Sequence, residues 1–176
     1  MDQQYIETER LRLRPPQLQD ADQVQRLAGD FRIADVTSSI PHPYPPELAQ
    51  RWIERCMQEW AGGAAANFII TESGSGQLVG SIALKDIGRG EAEVGYWIGV
   101  PYWNRGYASE ACNALVEFSF RQLHLRRLHA SHLARNPQSG RVLFKAGFRH
   151  LGLGHSACGS QGKVEPVELY ERVCSE

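Results

Sequence analysis

The stretch EVGYWIGVPYWNRGYASEA, residues 93 to 111, constrains the fold more than any other part of this chain. A largely apolar run reaches Val100 and meets Pro101. After Gly106 the spacing becomes helical, with Ala111, Leu115 and Phe118 on one stripe. A strand that hands over to a helix in so few residues needs a turn, and Gly106 brings the backbone freedom for it. A helix start leaves its first N–H groups unpaired and carries about half a positive charge. Small residues at Gly106 and Ala108 open such a start to an anion, above all a phosphate. R-G-x-A also occurs as an ordinary turn, so the rest of the chain has to identify the anion.

The flanking segments predict a single domain over residues 1–176, a length that buries one sizeable core. ETERLRLRPP alternates Leu11 and Leu13 with Arg10, Arg12 and Arg14, the pattern of a strand with one wet face. Residues 20–31 read as a helix with Val24, Leu27, Ala28 and Phe31 on its inner stripe. Residues 37–46 form a proline-rich loop, and residues 47–60 form a second helix. NFIIT, QLVGSIAL and EAEVGYWI read as an antiparallel meander turning first at residues 74–76. A helix over 109–122, the strand RRLHASHL and a short helix over 136–146 follow. Asn136 is placed to cap the short helix, and Gly147 to end it. FRHLGL and PVELYERV close the chain as strands around a glycine-rich loop, residues 152–162. The sum is a mixed α/β sheet, mostly antiparallel and flanked by helices.

Composition removes several functions. A formal net charge of -1 gives no field for a polyanion, so nucleic acid is not an expected partner. No run approaches the roughly 18 apolar residues of a membrane span, and the polar start MDQQYIETER is unlike a signal peptide. A cytoplasmic location without membrane attachment is the expectation. Four scattered cysteines without C-x-x-C or a neighbouring histidine predict reduced thiols and no metal site. There is no G-x-x-x-x-G-K-[ST]. GLGHSA, residues 152–157, matches G-x-G-x-x-A, but no βαβ unit fits around it.

AEVGYWIGVPYWNRGYASEA, followed about 25 residues on by NPQSGRVLFKAGF, resembles the GNAT superfamily of acetyl-CoA-dependent N-acetyltransferases. Together with ETERLRLRP and the helix around Trp52, it is similar to the RimJ/RimL-like branch over essentially the whole chain. The superfamily turn Q/R-x-x-G-x-G/A falls on residues 103–108, with Trp103 in place of Gln or Arg. The resemblance implies that the backbone of Asn104, Arg105, Gly106, Tyr107, Ala108 and Ser109 cradles the pyrophosphate of acetyl-CoA. It also implies that the strand end around Ile98 and Val100 pairs with the pantetheine arm. Pantetheine is peptide-like, so a strand edge suits it as a helix start suits a pyrophosphate.

The implied reaction is acetyl transfer to a primary amine, on a protein or peptide N-terminus or a small molecule, by direct attack in a ternary complex. Asn136 and Ser139 match the branch's N-x-x-S, where Asn binds pantetheine and Ser is placed to donate a proton to the leaving sulfur. Glu93 resembles the position where some members keep a general base or a water-holding carboxylate. It also reads as a solvent-facing strand residue sharing a face with Glu91. Gly95 would mark a bulge that splays the central strands. The acceptor side falls on the loop at residues 37–46, with His42, Tyr44 and Trp52. Cys112 as a nucleophile and Tyr107 as a reserve acid are lesser candidates. The alternative is an acetyl-CoA-binding sensor that transfers nothing. Homodimers are frequent in the superfamily, although no stripe here demands one.

Overall fold

A computed structural model of the chain describes residues 5–158 and 163–174. Eight strands form one sheet in the order β1-β2-β3-β4-β5-β6-β8-β7. They are β1 Ile6–Glu7, β2 Leu11–Arg14, β3 Ala66–Glu72, β4 Leu78–Gly88, β5 Glu91–Ile98, β6 Arg127–Leu133, β7 Arg149–Cys158 and β8 Lys163–Val173. Every neighbouring pair is antiparallel except β5 and β6, which run parallel through the crossover helix between them. Five helices accompany the sheet: α1 Ala21–Ala28, α2 Phe31–Val36, α3 Leu48–Gly62, α4 Tyr107–Arg121 and α5 Pro137–Lys145.

Strand alternation sorts the core into two layers. Phe68 and Ile70 of β3 join Leu115 and Phe118 of α4 on one face, and Phe68 meets Trp60 and Phe118 edge to face. Ile69 points the other way, to Val24 and Leu27 of α1 and Ala49 of α3. Where β2 leads into α1, the buried Asp20 accepts from Arg14 at 2.6 and 2.8 Å and from the Gln17 N–H at 2.8 Å. This pairing ties the end of the strand to the start of the helix layer.

The sheet and its antiparallel meander are as the periodicity predicts, while several boundaries differ. The helix expected over 20–31 is two helices. Asp30 takes an extended backbone and accepts from the Arg32 N–H, so α2 starts afresh and Phe31 is exposed beside His42. Residues 152–158 are strand and not loop, because β7 pairs with β8 from Arg149 to Cys158 and the ladder overrides the glycines. The part of that expected loop at residues 159–162 lies outside the described residues. Helix α4 begins at Tyr107, two residues before the predicted Ser109.

The sheet has a gap in its middle. Strands β5 and β6 pair only from Glu91 and Arg127 to Val94 and Ala130. Beyond that point β5 stays with β4 as far as Ile98, and β6 stays with β8 as far as Leu133. No bulge produces the gap, since the register with β4 runs unbroken through Gly95 and Ala83. Divergence of two parallel strands held by different neighbours accounts for it.

Candidate active site

A cavity of about 570 Å³ occupies this gap. Its walls include Gly95, Tyr96 and Trp97 of β5, Ala130 to Leu133 of β6, Ser139 and Leu143 of α5, and Tyr44, Trp52 and Asn67 on the α1/α3 side. Successive side chains of a strand point to opposite faces, so the cavity passes through the sheet from one helix layer to the other. The backbone edge that faces it can be assigned. Gly99 N–H donates to Val79 of β4 at 2.8 Å, so by alternation the polar groups of Tyr96 and Ile98 point away from β4, into the gap. Trp103 Nε1 already donates to the Ile98 carbonyl at 2.6 Å, which leaves the Ile98 N–H on that edge. Val100, predicted beside Ile98 on the strand, instead lies past its end in a short 3-10 turn, Val100–Tyr102.

The turn that follows adopts the left-handed conformation twice, at Asn104 (φ 61°) and Gly106 (φ 80°). Gly106 caps α4 with no side-chain bond, and the first helical bond runs from Glu110 N–H to the Gly106 carbonyl. The N–H groups of Asn104 to Ser109 find no acceptor among the described residues. A concave array of free N–H groups at a helix start fits a diphosphate. The Arg105 side chain turns aside, over the Tyr102 ring and 3.8 Å from Glu72, so the turn offers its backbone to a ligand. Tyr107 is buried and donates to Glu72 at 2.7 Å, a bond that raises its phenol pKa and suits packing more than acid catalysis.

The bracing of this turn comes from residues distant in sequence. Arg10, at the start of β2, donates to the Arg105 carbonyl at 2.8 Å and pairs with Glu110 of α4 at 2.7 Å. Its guanidinium also lies 4.9 Å from the Tyr107 ring centroid. Thr8 and the Arg10 N–H add bonds to the same Glu110 carboxylate, at 2.6 and 2.8 Å.

At the start of α5, which carries Ser139 into the cavity wall, Asn136 does not make the predicted cap bond. Its Nδ2 donates to Ser139 Oγ at 3.1 Å, and the Tyr96 hydroxyl donates to the Ser139 carbonyl at 3.3 Å. Burial pushes the Tyr96 phenol up, so it stays protonated. Gly140 brings α5 close to the sheet, since a Cβ there would stand 2.9 Å from both His132 Nε2 and the Tyr170 hydroxyl. His129 lies on the other face from His132 and contacts Glu91 at 3.1 Å.

Glu91 is thus engaged, whereas Glu93 is exposed on the cavity rim and makes no hydrogen bond or ion pair with a described residue. Cys112 is fully buried, and burial pushes its thiol up to about 12, so it is no nucleophile at neutral pH. His42 meets Phe31 edge to face and does not line the cavity, while Tyr44 and Trp52 do. Asn67, Glu59 and Tyr96 are wall residues that the sequence reading passed over. Asn67 had a signal, as the lone polar residue among Ala65, Ala66, Phe68, Ile69 and Ile70.

Fold and cleft define a class: a mixed α/β acyltransferase in which a split sheet and an N–H-lined helix start face one cavity. Comparison with known proteins agrees. Residues 10–149 match the acetyltransferase (GNAT) domain family. The uncharacterized N-acetyltransferase YnaD of Bacillus subtilis is 30% identical over 98% of both chains. A GNAT-family acetyltransferase of Bacillus anthracis superposes with a TM-score of 0.81 at 26% identity, covering 97% of this chain and 98% of that one. RimL, a ribosomal L7/L12 alpha-N-protein acetyltransferase solved with coenzyme A, shares the fold at a TM-score of 0.87 and 18% identity, over 97% and 98% of the two chains. The chain belongs to the GNAT acetyltransferase family. It is an N-acetyltransferase with acetyl-CoA as cosubstrate.

Proposed function

We propose that this acetyltransferase acts on the primary amine of a protein or peptide N-terminus, or of a small molecule, by direct attack in a ternary complex. The observation that carries the reading is the gap between β5 and β6, whose cavity has a free strand edge, Glu93 and Ser139 on its walls. That RimL acts on a protein α-amino group supports a protein acceptor. The chemistry favours it too. An α-amino group, with a pKa of about 7.7 to 8.0, costs less than about 1 kcal/mol to deprotonate near pH 7.4, whereas a lysine costs about 4 kcal/mol.

The N–H groups of Asn104 to Ser109 hold the pyrophosphate, and the β5 edge at Tyr96 and Ile98 takes the amides of the pantetheine arm. Asn136 bonds Ser139, which lines the same cavity. Acetyl-CoA supplies the activated acetyl group as a thioester. Glu93 takes the proton of the amine, directly or through one water, and a neighbouring strand amide polarises the carbonyl. Because Asn136 donates into a lone pair of Ser139 Oγ, the hydroxyl hydrogen of Ser139 is free to point at the leaving sulfur. Among the described residues no helix is long and apolar enough to cross a membrane. We place the reaction in the cytoplasm, with a homodimer as the form to test by light scattering.

Calorimetric titration with acetyl-CoA, followed by mass spectrometry of a panel of peptide and small amines, tests this reading. The expected result is saturable binding and an added acetyl group on the α-amine of at least one acceptor. Saturable binding with no acetylated product across the panel would instead indicate a sensor. A second expectation concerns the brace. Arg10→Ala leaves the turn without its bond at the Arg105 carbonyl, and should raise the acetyl-CoA KM about tenfold with kcat within about twofold, the loss of one charge-assisted bond. Steady-state kinetics at saturating acceptor reads both parameters.

A further inference from the structure

On the α1/α3 side, the cavity continues as a trough across the sheet, and its far end is polar. Asn67 of β3 pairs with Ala83 of β4, and Ala83 with Gly95 of β5, so the row from Asn67 to the gap contributes only a methyl group and a hydrogen of its own, and the Lys85 side chain reaches over its Gly95 end, with Nζ 3.1 Å from where a Cβ would stand. Three strands span about 10 Å. Asn67 is itself only 6% exposed. Its Nδ2 donates to Glu59 Oε2 of α3 at 3.3 Å, while its Oδ1 takes no bond from a described residue and faces the trough. Glu59 fixes that orientation: an ionised carboxylate only accepts, so the amide must turn its NH₂ to Glu59 and its oxygen to the cavity. An unbonded carbonyl oxygen on a mostly buried side chain, at the end of a shallow trough with Tyr44 and Trp52 lining the same cavity, is suited to a ligand that donates.

Resting on the proposed acetylation of an N-terminal amine, we infer that Asn67 is a specificity-determining residue for an extended peptide acceptor. Its Oδ1 accepts a backbone N–H two to three residues beyond the reacting amine. The spacing follows from the trough, since extended chain rises about 3.4 Å per residue and the strand-to-strand span is about 10 Å. Glu59 acts through Asn67 and is a positioning residue.

The test compares acetylation of a free-amine tetrapeptide amide with that of two matched peptides, N-methylated at the second or the third peptide bond. The wild-type chain should turn over the parent peptide at least about tenfold more efficiently than one N-methyl peptide, because a site built to bond an N–H rejects the analogue without it. Asn67→Leu should lower kcat/KM for the parent peptide about 10- to 100-fold through the peptide KM. It should also bring the parent-to-methylated ratio near one and leave the acetyl-CoA KM unchanged. Glu59→Gln is the second variant, close in volume and half-exposed. A glutamine can donate, so Asn67 can flip, and the ratio should fall while the melting temperature holds. Retention of the wild-type ratio by folded Asn67→Leu would overturn the inference and leave the proposed function standing. Absence of transfer to any peptide by the wild-type chain would overturn both.

Discussion

Gly106→Asp should weaken acetyl-CoA binding at least about 1000-fold, close to 4 kcal/mol at 1.4 kcal/mol per factor of ten. Three causes act together. At φ 80° a residue with a Cβ is strained by roughly 1 kcal/mol, and the new Cβ would stand 3.3 Å from an Arg10 nitrogen. The carboxylate would sit among the free N–H groups of Asn104 to Ser109, compete for them as an internal anion and repel a diphosphate. The strain acts on the ligand-free protein and should lower its melting temperature by only a few degrees. Binding should fall far more than that. Calorimetry on folded protein separates the two effects. Equal binding by the variant would show that the turn takes no phosphate.

Ser139→Ala should lower kcat about 100-fold, the smaller end of what a positioned proton donor contributes, with the acetyl-CoA KM nearly unchanged. The argument rests on placement. Ser139 lies on the cavity wall at the start of α5, where the Asn136 amide occupies one of its lone pairs and the Tyr96 hydroxyl bonds its carbonyl. Removing Oγ takes away the donor and leaves that wall's backbone anchored by Tyr96. Asn136→Ala should do less to kcat, because it frees the hydroxyl's orientation without removing it. It should raise the acetyl-CoA KM instead. Single-turnover kinetics on the two variants separates the roles, and full turnover in both would remove the assigned proton donor.

Local pattern carried much of this fold. Leu11 and Leu13 at period two, and Leu115 and Phe118 at helical spacing, are the residues found inside. Pattern fails where a neighbour decides the outcome. Gly152 and Gly154 look like loop residues, yet pairing with Leu169 and Val167 of β8 makes them strand. Gly29 and Asp30 fit a continuous helix until Asp30 turns its side chain onto the Arg32 N–H. The site divides in the same way. The phosphate turn and N-x-x-S were readable because each is contiguous in sequence. Arg10 meets a carbonyl 95 residues away, and Asn67 gains its significance from Ala83 and Gly95, which no window around residue 67 contains.

The gap between β5 and β6 leaves the sheet unfinished, with polar groups of Tyr96 and Ile98 on a bare edge inside the protein. In the proposed complex the pantetheine arm completes the ladder, so the cosubstrate would become a temporary strand of the fold. Occupancy should then stabilise the folded state by RT ln(1 + [L]/Kd), about 2.7 kcal/mol at a hundredfold excess over Kd. Amide hydrogens of β5 and β6 should exchange more slowly with each turn of loading and speed up again with each release. On the proposed binding mode, every catalytic cycle would assemble and dismantle a stretch of secondary structure, and the enzyme's rigidity would follow the supply of its donor.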